Sequence, residues 1–295
     1  MSIEHVGLIG AGLMGHGIAK NILENGYSLA YLAHPGNRPT ADLVDLGAVE
    51  IPDIEELVER SDVVLICVTG SPQVEQVVLQ ENGVAAFVKK GQIVADLSTV
   101  EPSTTQRAHR ALAGKGGVYI DIPMTRTPKE AEAGKLNLLA GGDKAVLETL
   151  RPLLNSFAEN IYHAGPVGAG HALKLLHNFV SLGNCALLAE AAACARRTNV
   201  DMHTFIEVLR TGGGDSVALK RLTPYITDKD EAGFLFTIGN CHKDMSYYTD
   251  MANTHGTSAV GATAIRDLYK TLSEAGGADL PVPRMIDLLE PRNRG

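Results

Sequence analysis

Through the first half of the chain, short apolar runs alternate with stretches of helical periodicity. Short runs rich in apolar, β-branched or aromatic residues at 5–9, 28–32, 63–68, 92–97 and 118–122 predict strands. Amphipathic stretches at 13–25, 39–46, 54–60, 72–79 and 102–113 predict the helices between them. A further strand, helix and strand come at 136–140, 145–155 and 161–163. Alternation at this spacing calls for right-handed βαβ crossovers, hence an α/β fold with a doubly wound, mostly parallel sheet. After Gly165 the texture changes. Residues 167–198 predict one helix of about thirty residues, roughly 45 Å long, without an internal proline. The remainder of the chain is helical in pattern, with turn signals at Gly212-Gly213-Gly214, Pro224, Gly233, Gly256 and Gly276-Gly277. The expected organisation is a Rossmann-like domain over 1–164 and an all-α domain over 165–295 that begins with the long helix.

Composition narrows the function classes. The chain has 295 residues, 45% of them hydrophobic and 20% charged, which suits a soluble protein with a sizeable core. A net charge of −8 without a basic run argues against nucleic acid or an anionic membrane surface as partner. The N-terminus reads straight into a strand, so no signal peptide is expected. The apolar stretch 172–195 carries Lys174, His177, Asn178 and Glu190, too many polar groups for a membrane span. Cys67, Cys185, Cys194 and Cys241 form no CxxC pair and read as buried reduced thiols of a cytoplasmic protein. Ten histidines show no zinc-type spacing, so no metal site is expected. Gly214-Asp215-Ser216-Val217-Ala218 follows no strand and lacks the last glycine of a nucleophile elbow. Residues 228–231 and 291–295 read as solvated surface and tail.

The first strand runs into Gly10-Ala11-Gly12-Leu13-Met14-Gly15 and then a helix. This is G-x-G-x-x-G in the strand–turn–helix setting of a dinucleotide fingerprint: Gly10 for the turn, Gly12 for approach of a pyrophosphate, Gly15 for helix packing. Helix N-termini favour the anion. The second strand ends in Tyr31-Leu32-Ala33-His34-Pro35-Gly36-Asn37-Arg38, with no carboxylate to read a ribose. His34 and Arg38 suit a 2′-phosphate, a lean toward NADP over NAD; the alternative is that both are surface residues.

Three more segments stand out: Asp121-Ile122-Pro123-Met124-Thr125-Arg126-Thr127 with Ala131 and Gly134; Gly165-Pro166-Val167-Gly168-Ala169-Gly170 with Lys174 and Asn178; and Lys243-Asp244. Gly170, Lys174 and Asn178 fall on one helix face. With the glycine loop, these segments make the chain resemble the β-hydroxyacid dehydrogenases, the family of 3-hydroxyisobutyrate dehydrogenase and tartronate semialdehyde reductase. The resemblance covers nearly the whole chain. It implies NAD(P)-dependent oxidation of a small β-hydroxy acid, or reduction of the matching semialdehyde, at a site between the two domains.

By this resemblance Lys174 is the general acid/base: a neutral amine takes the hydroxyl proton in oxidation, and the ammonium returns it in reduction. Partial burial and a nearby cation favour the neutral amine. Asn178 holds the substrate or the lysine. Val68, Thr69 and Thr99 are expected at the cofactor, Ser98 at the substrate, and Lys243 at a cofactor or substrate anion. The family's D-x-P-V-S-G-G has become Asp121 to Thr127 with Thr125, Arg126 and Thr127 in place of Ser-Gly-Gly. An arginine fork there suits a carboxylate, sulfonate or phosphate, and the D-x-P-x-x-R-T pattern looks like that of sulfolactaldehyde reductases. The alternative is an Arg126 turned to solvent or paired with Glu130 or Glu132.

Two rivals remain. An imine reductase resembles this fold but usually lacks the lysine. A non-catalytic NADP-binding scaffold would tolerate its loss. Cover for the long helix, and analogy with the family, lead to an expected homodimer or homotetramer.

Overall fold

The structure is a computed structural model that describes residues 3–290. The expected tail at 291–295 lies outside the described residues. The chain divides into two compact units, one ending at Lys174 and the other starting at Leu175.

In the first unit the order is β1 (His5–Ile9), α1 (Gly15–Glu24), β2 (Ser28–Leu32), α2 (Ala41–Asp45), β3 (Val49–Ile51), α3 (Ile54–Arg60), β4 (Val63–Ile66), α4 (Ser71–Leu79), α5 (Val84–Phe87), β5 (Ile93–Asp96), α6 (Pro102–Ala113) and β6 (Val118–Asp121). Then come β7 (Met124–Thr125), α7 (Pro128–Glu132), β8 (Leu136–Gly141), α8 (Lys144–Leu154) and β9 (Ala158–Gly165). The sheet order is β3-β2-β1-β4-β5-β6-β8-β7, with β9 paired to β8. Pairing is parallel from β3 through β6, and β8 runs antiparallel to β6 and β7 but parallel to β9. Strand order reverses between β1 and β4, which opens a crevice at their carboxyl ends.

Burial explains why these runs are strands. All four residues of β4 are buried: Val63 and Leu65 pack in one cluster with Leu8 and Ile18, Val64 and Ile66 in another with Val74 and Val78. A sheet covered on both faces needs continuous apolar strands, not alternating ones. The expected helix at 39–46 is shorter, running from Ala41 to Asp45 with Thr40 before it in a non-helical conformation. β3 and β7 lack a sequence signal, being only three and two residues long.

α9 (Ala169–Arg197) crosses the division between the units. By length and composition it could cross a membrane, but 56% of its most apolar window is buried. α10 (Met202–Thr211), α11 (Val217–Asp228), α12 (Ile238–Thr254), α13 (Val260–Leu272) and α14 (Met285–Leu289) cover it. Ala186, Ala189, Ala192 and Ala193 let these neighbours come close, and the Tyr269 hydroxyl donates to the Leu182 carbonyl at 2.8 Å. Pro224, read as a turn signal, instead lies inside α11. Burial of Leu219, Leu222, Tyr225 and Ile226 outweighs the lost ladder bond. The thiols are not all buried: Cys194, on the outer side of α9, is exposed.

Candidate active site

The glycine loop is stapled in place from both sides. Gly10 has φ +101°, and a Cβ there would lie 2.3 Å from the Cys67 carbonyl oxygen. A Cβ on Gly15 would lie 1.9 Å from the Gly10 carbonyl oxygen, so only glycine lets α1 start where it does. Gly12 differs. Its Cβ would meet nothing closer than the Gly36 oxygen at 3.8 Å, which leaves room for a ligand against the backbone. The Asn37 side chain accepts from the Ala11 N–H at 3.1 Å and donates to the Leu32 carbonyl at 2.9 Å. The Arg38 N–H donates to the Ala11 carbonyl at 3.0 Å.

A cavity of about 370 Å³ opens over this loop at the reversal of strand order. Of the residues expected at a cofactor, Gly10, Gly12, His34, Val68 and Thr69 line it. Ala11, Met14 and Gly15 instead shape the loop, while Leu13 is exposed. The Val68 N–H donates to the Ser98 hydroxyl at 3.1 Å, and the Ser98 N–H to Asp96 at 2.9 Å. Neither Ser98 nor half-buried Thr99 lines the cavity. The far wall carries Gln73, Gln76 and Gln80 beside apolar Ile54 and Val77. The glutamines recur at the spacing of one helix face, a pattern visible in the sequence. Cys67 also opens on the cavity, yet burial and the Asp96 charge push its thiol up to about 12, so it is no nucleophile at neutral pH.

Arg38 does not line the cavity. Its guanidinium sits 3.1 Å from Glu132 at the end of α7. The substrate-motif residues also have internal partners. Thr125 accepts from Asn137 at 3.2 Å, and Thr127 opens α7 through a capping box with Glu130. Arg126 pairs with Glu159 and donates to the Lys135 carbonyl, instead of the expected Glu130 or Glu132. Its φ is +83°, the left-handed region that glycine adopts freely. The Ala131 and Gly134 of this motif pack α7 on α1: the Asn21 amide donates to the Ala131 and Glu132 carbonyls, and a Cβ at 134 would lie 2.6 Å from its oxygen.

Asp121 has a role that its place in the motif did not disclose. Fully buried, its carboxylate accepts from the Gly168 N–H at 2.7 Å and the His171 N–H at 2.8 Å. It thereby satisfies orphan donors at the start of α9 and sets a negative charge at the positive end of the helix. A Cβ on Gly170 would lie 2.8 Å from that carboxylate, so glycine lets helix and strand end meet. Lys174, half-buried, comes one turn later on this anchored segment.

In the second unit, Asn178 and Lys243 meet at one carboxylate. Asp244, 1% exposed, accepts from the Asn178 amide at 2.6 Å and from the Lys243 ammonium at 2.7 Å. Lys243 also stands over the Tyr247 ring, 5.1 Å from its centroid.

A family model for the NAD binding domain of 6-phosphogluconate dehydrogenase matches residues 5–165. A second, for the NAD-binding region of NADP-dependent 3-hydroxyisobutyrate dehydrogenase, matches residues 168–289. The chain belongs to the β-hydroxyacid dehydrogenase family. It is similar to 2-(hydroxymethyl)glutarate dehydrogenase of Eubacterium barkeri, with 32% identity over 81% of this chain and 79% of that one. It is also similar to 3-sulfolactaldehyde reductase of Escherichia coli, with 30% identity over 92% of this chain and 91% of that one. Among solved structures, the 3-hydroxyisobutyrate dehydrogenase of Salmonella typhimurium shares 26% identity and a TM-score of 0.84, covering 96% of this chain and 99% of that one. An imine reductase of Myxococcus stipitatus, at 21% identity and a TM-score of 0.65, shares the fold alone.

As a β-hydroxyacid dehydrogenase the chain is an NAD(P)-dependent oxidoreductase that acts on a hydroxyl group or the matching carbonyl. The first unit fits the cofactor. Gly12 leaves a cradle that a Cβ would fill, the start of α1 beside it is a helix N-terminus of the kind that favours an anion, and the glutamine wall supplies amides beside an apolar slot.

Proposed function

We propose that the chain interconverts a small β-hydroxy acid and its semialdehyde, with Lys174 as general acid/base and Asn178 and Lys243 as substrate- or cofactor-binding groups. The observation that carries this reading is the Asp121 anchor, which fixes the segment bearing Lys174 through two short N–H bonds. Hydride transfer is the chemistry that a nicotinamide cofactor would supply when bound; the chain's own residues place the substrate and move one proton. In oxidation the Lys174 Nζ takes the hydroxyl proton, and in reduction it gives a proton to the carbonyl oxygen. Asp244 fixes the Asn178 amide and steadies the Lys243 charge, so both enter the reaction already oriented.

A carboxylate is the substrate handle that we favour, because Arg126 is already engaged by Glu159 and the Lys135 carbonyl. A sulfonate is the second reading, supported by the Arg126-Thr127 pattern and by the similarity to a 3-sulfolactaldehyde reductase. It requires Arg126 to exchange Glu159 for substrate. Leu176, Val180 and Leu187, 46%, 61% and 62% exposed, share one side of α9 and support a homodimer or homotetramer. Four free thiols support a reducing, cytoplasmic setting.

The test is a steady-state screen of small hydroxy acids, semialdehydes and hydroxy sulfonates with NAD and NADP. Turnover of at least one carboxylate substrate is expected. Cofactor binding without turnover on the whole panel would favour the scaffold reading.

A further inference from the structure

The end of β2 carries no carboxylate, yet the structure delivers one to the same loop from far along the chain. Glu132, the last residue of α7, reaches Arg38 across 94 positions of sequence. Its Oε1 lies 3.1 Å from an Arg38 guanidinium nitrogen and 3.4 Å from Nδ1 of His16. His16 directly follows Gly15 of the phosphate loop and is 5% exposed. Its Nε2 is fixed on Asp42 at 3.1 Å, and its Nδ1 has no hydrogen-bond partner and faces Glu132. Arg38 is bound through its backbone to Ala11, between Gly10 and Gly12, and the neighbouring Gly36 and Asn37 line the cavity. This loop is where the adenosine ribose is read in doubly wound folds.

We infer that Glu132 is a specificity-determining residue, which weakens binding of a 2′-phosphorylated nicotinamide cofactor by holding Arg38. The inference rests on the cofactor assignment above and goes beyond it. A 2′-phosphate needs the Arg38 fork, and that fork is occupied by an anion of the protein. A ribose 2′-hydroxyl needs no such exchange. His16 lies between Asp42 and Glu132 and so borders the pair from the phosphate-loop side. Asn21 holds the other side by binding the Glu132 carbonyl at 3.2 Å. The pair is partly open to solvent, Arg38 45% and Glu132 34% exposed, so its effect is graded and not absolute.

The test is direct titration of the protein with NADH and NADPH. The chain has no tryptophan, so the nucleotide's own emission reports binding without interference. Glu132→Gln keeps the length of the side chain and removes the charge. It is expected to tighten NADPH about five- to tenfold, while NADH stays within about twofold. Arg38→Ala is expected to weaken NADPH by about fivefold or more, and in that background Glu132→Gln gains no more than about twofold. Should Glu132→Gln fail to fold, Glu132→Met reads the same ratio. An equal change for both nucleotides, weaker NADPH binding in Glu132→Gln, or an undiminished gain without Arg38 would overturn the inference. A wild-type chain that binds neither nucleotide would remove the cofactor assignment as well, whereas retained binding with an unmoved ratio removes the inference alone.

Discussion

The carboxylate of Asp121, at the end of β6, accepts the backbone N–H of His171, two residues into α9, at 2.8 Å. With the Gly168 N–H on its other oxygen, one buried anion ties the sheet to the start of the helix that carries Lys174. The bonds are charge-assisted and shielded from water, which makes them stronger than neutral ones. Asp121→Ala leaves both donors unsatisfied, the buried His171 N–H and the partly buried Gly168 N–H. A loss of about 3 kcal/mol in urea unfolding is expected, with a fall in kcat beyond the loss of folded protein. Asp121→Asn, which keeps one acceptor oxygen, should lose about half as much stability.

The glycine loop predicts a split between two similar substitutions. Gly15→Ala drives a Cβ to 1.9 Å from the Gly10 oxygen and should lower both Tm and cofactor affinity. Gly12→Ala places its methyl in open space, so Tm stays near wild type while cofactor affinity falls about tenfold or more. Differential scanning fluorimetry with and without NADH separates the two.

Arg126 holds a conformation that suits glycine, at φ +83°. Arg126→Ala keeps the strained backbone and loses the Glu159 pair, whereas Arg126→Gly loses the pair but relieves the strain. The glycine variant should be the more stable by about 1 kcal/mol in urea unfolding. If Arg126 also clamps the substrate anion, both variants raise KM with little change in kcat. An unchanged KM would take away the clamp.

Asp287 gives a pH prediction for the second unit. Burial works against its charge, but hydrogen bonds from Lys229, Tyr225 and Arg196 prevail and hold its carboxyl below the ordinary value. A carboxyl whose folded pKa is depressed adds stability above its unfolded pKa, about 3.9. That stability is lost as pH falls through the lower, folded value. Asp287→Asn should therefore lower Tm at pH 7 and reduce the drop in Tm on acidification to about pH 3. A variant as stable as wild type at pH 7 would contradict this.

The sheet was legible because β1, β4 and β5 are buried on both faces and must be apolar throughout. The glycine loop was legible because steric demands at Gly10 and Gly15 admit one residue type. β3 and β7 were not, because two or three residues carry no period. The Glu132–Arg38 pair and the Asp121 anchor join segments 94 and 50 positions apart, and nothing local in sequence announces such meetings. Asp244 could be read as part of a Lys-Asp pair, but its grip on Asn178 depends on how α12 packs against α9. The glutamines of α4 carry a helical spacing in the sequence, but polar residues at that spacing equally mark a solvated face.

The most direct measurement of the central claim is single-turnover hydride transfer in Lys174→Met, alongside cofactor affinity. Loss of the acid/base amine is expected to slow the chemical step by about 10²- to 10⁴-fold while the nucleotide still binds with wild-type affinity. A methionine variant that transfers hydride at the wild-type rate would contradict the account.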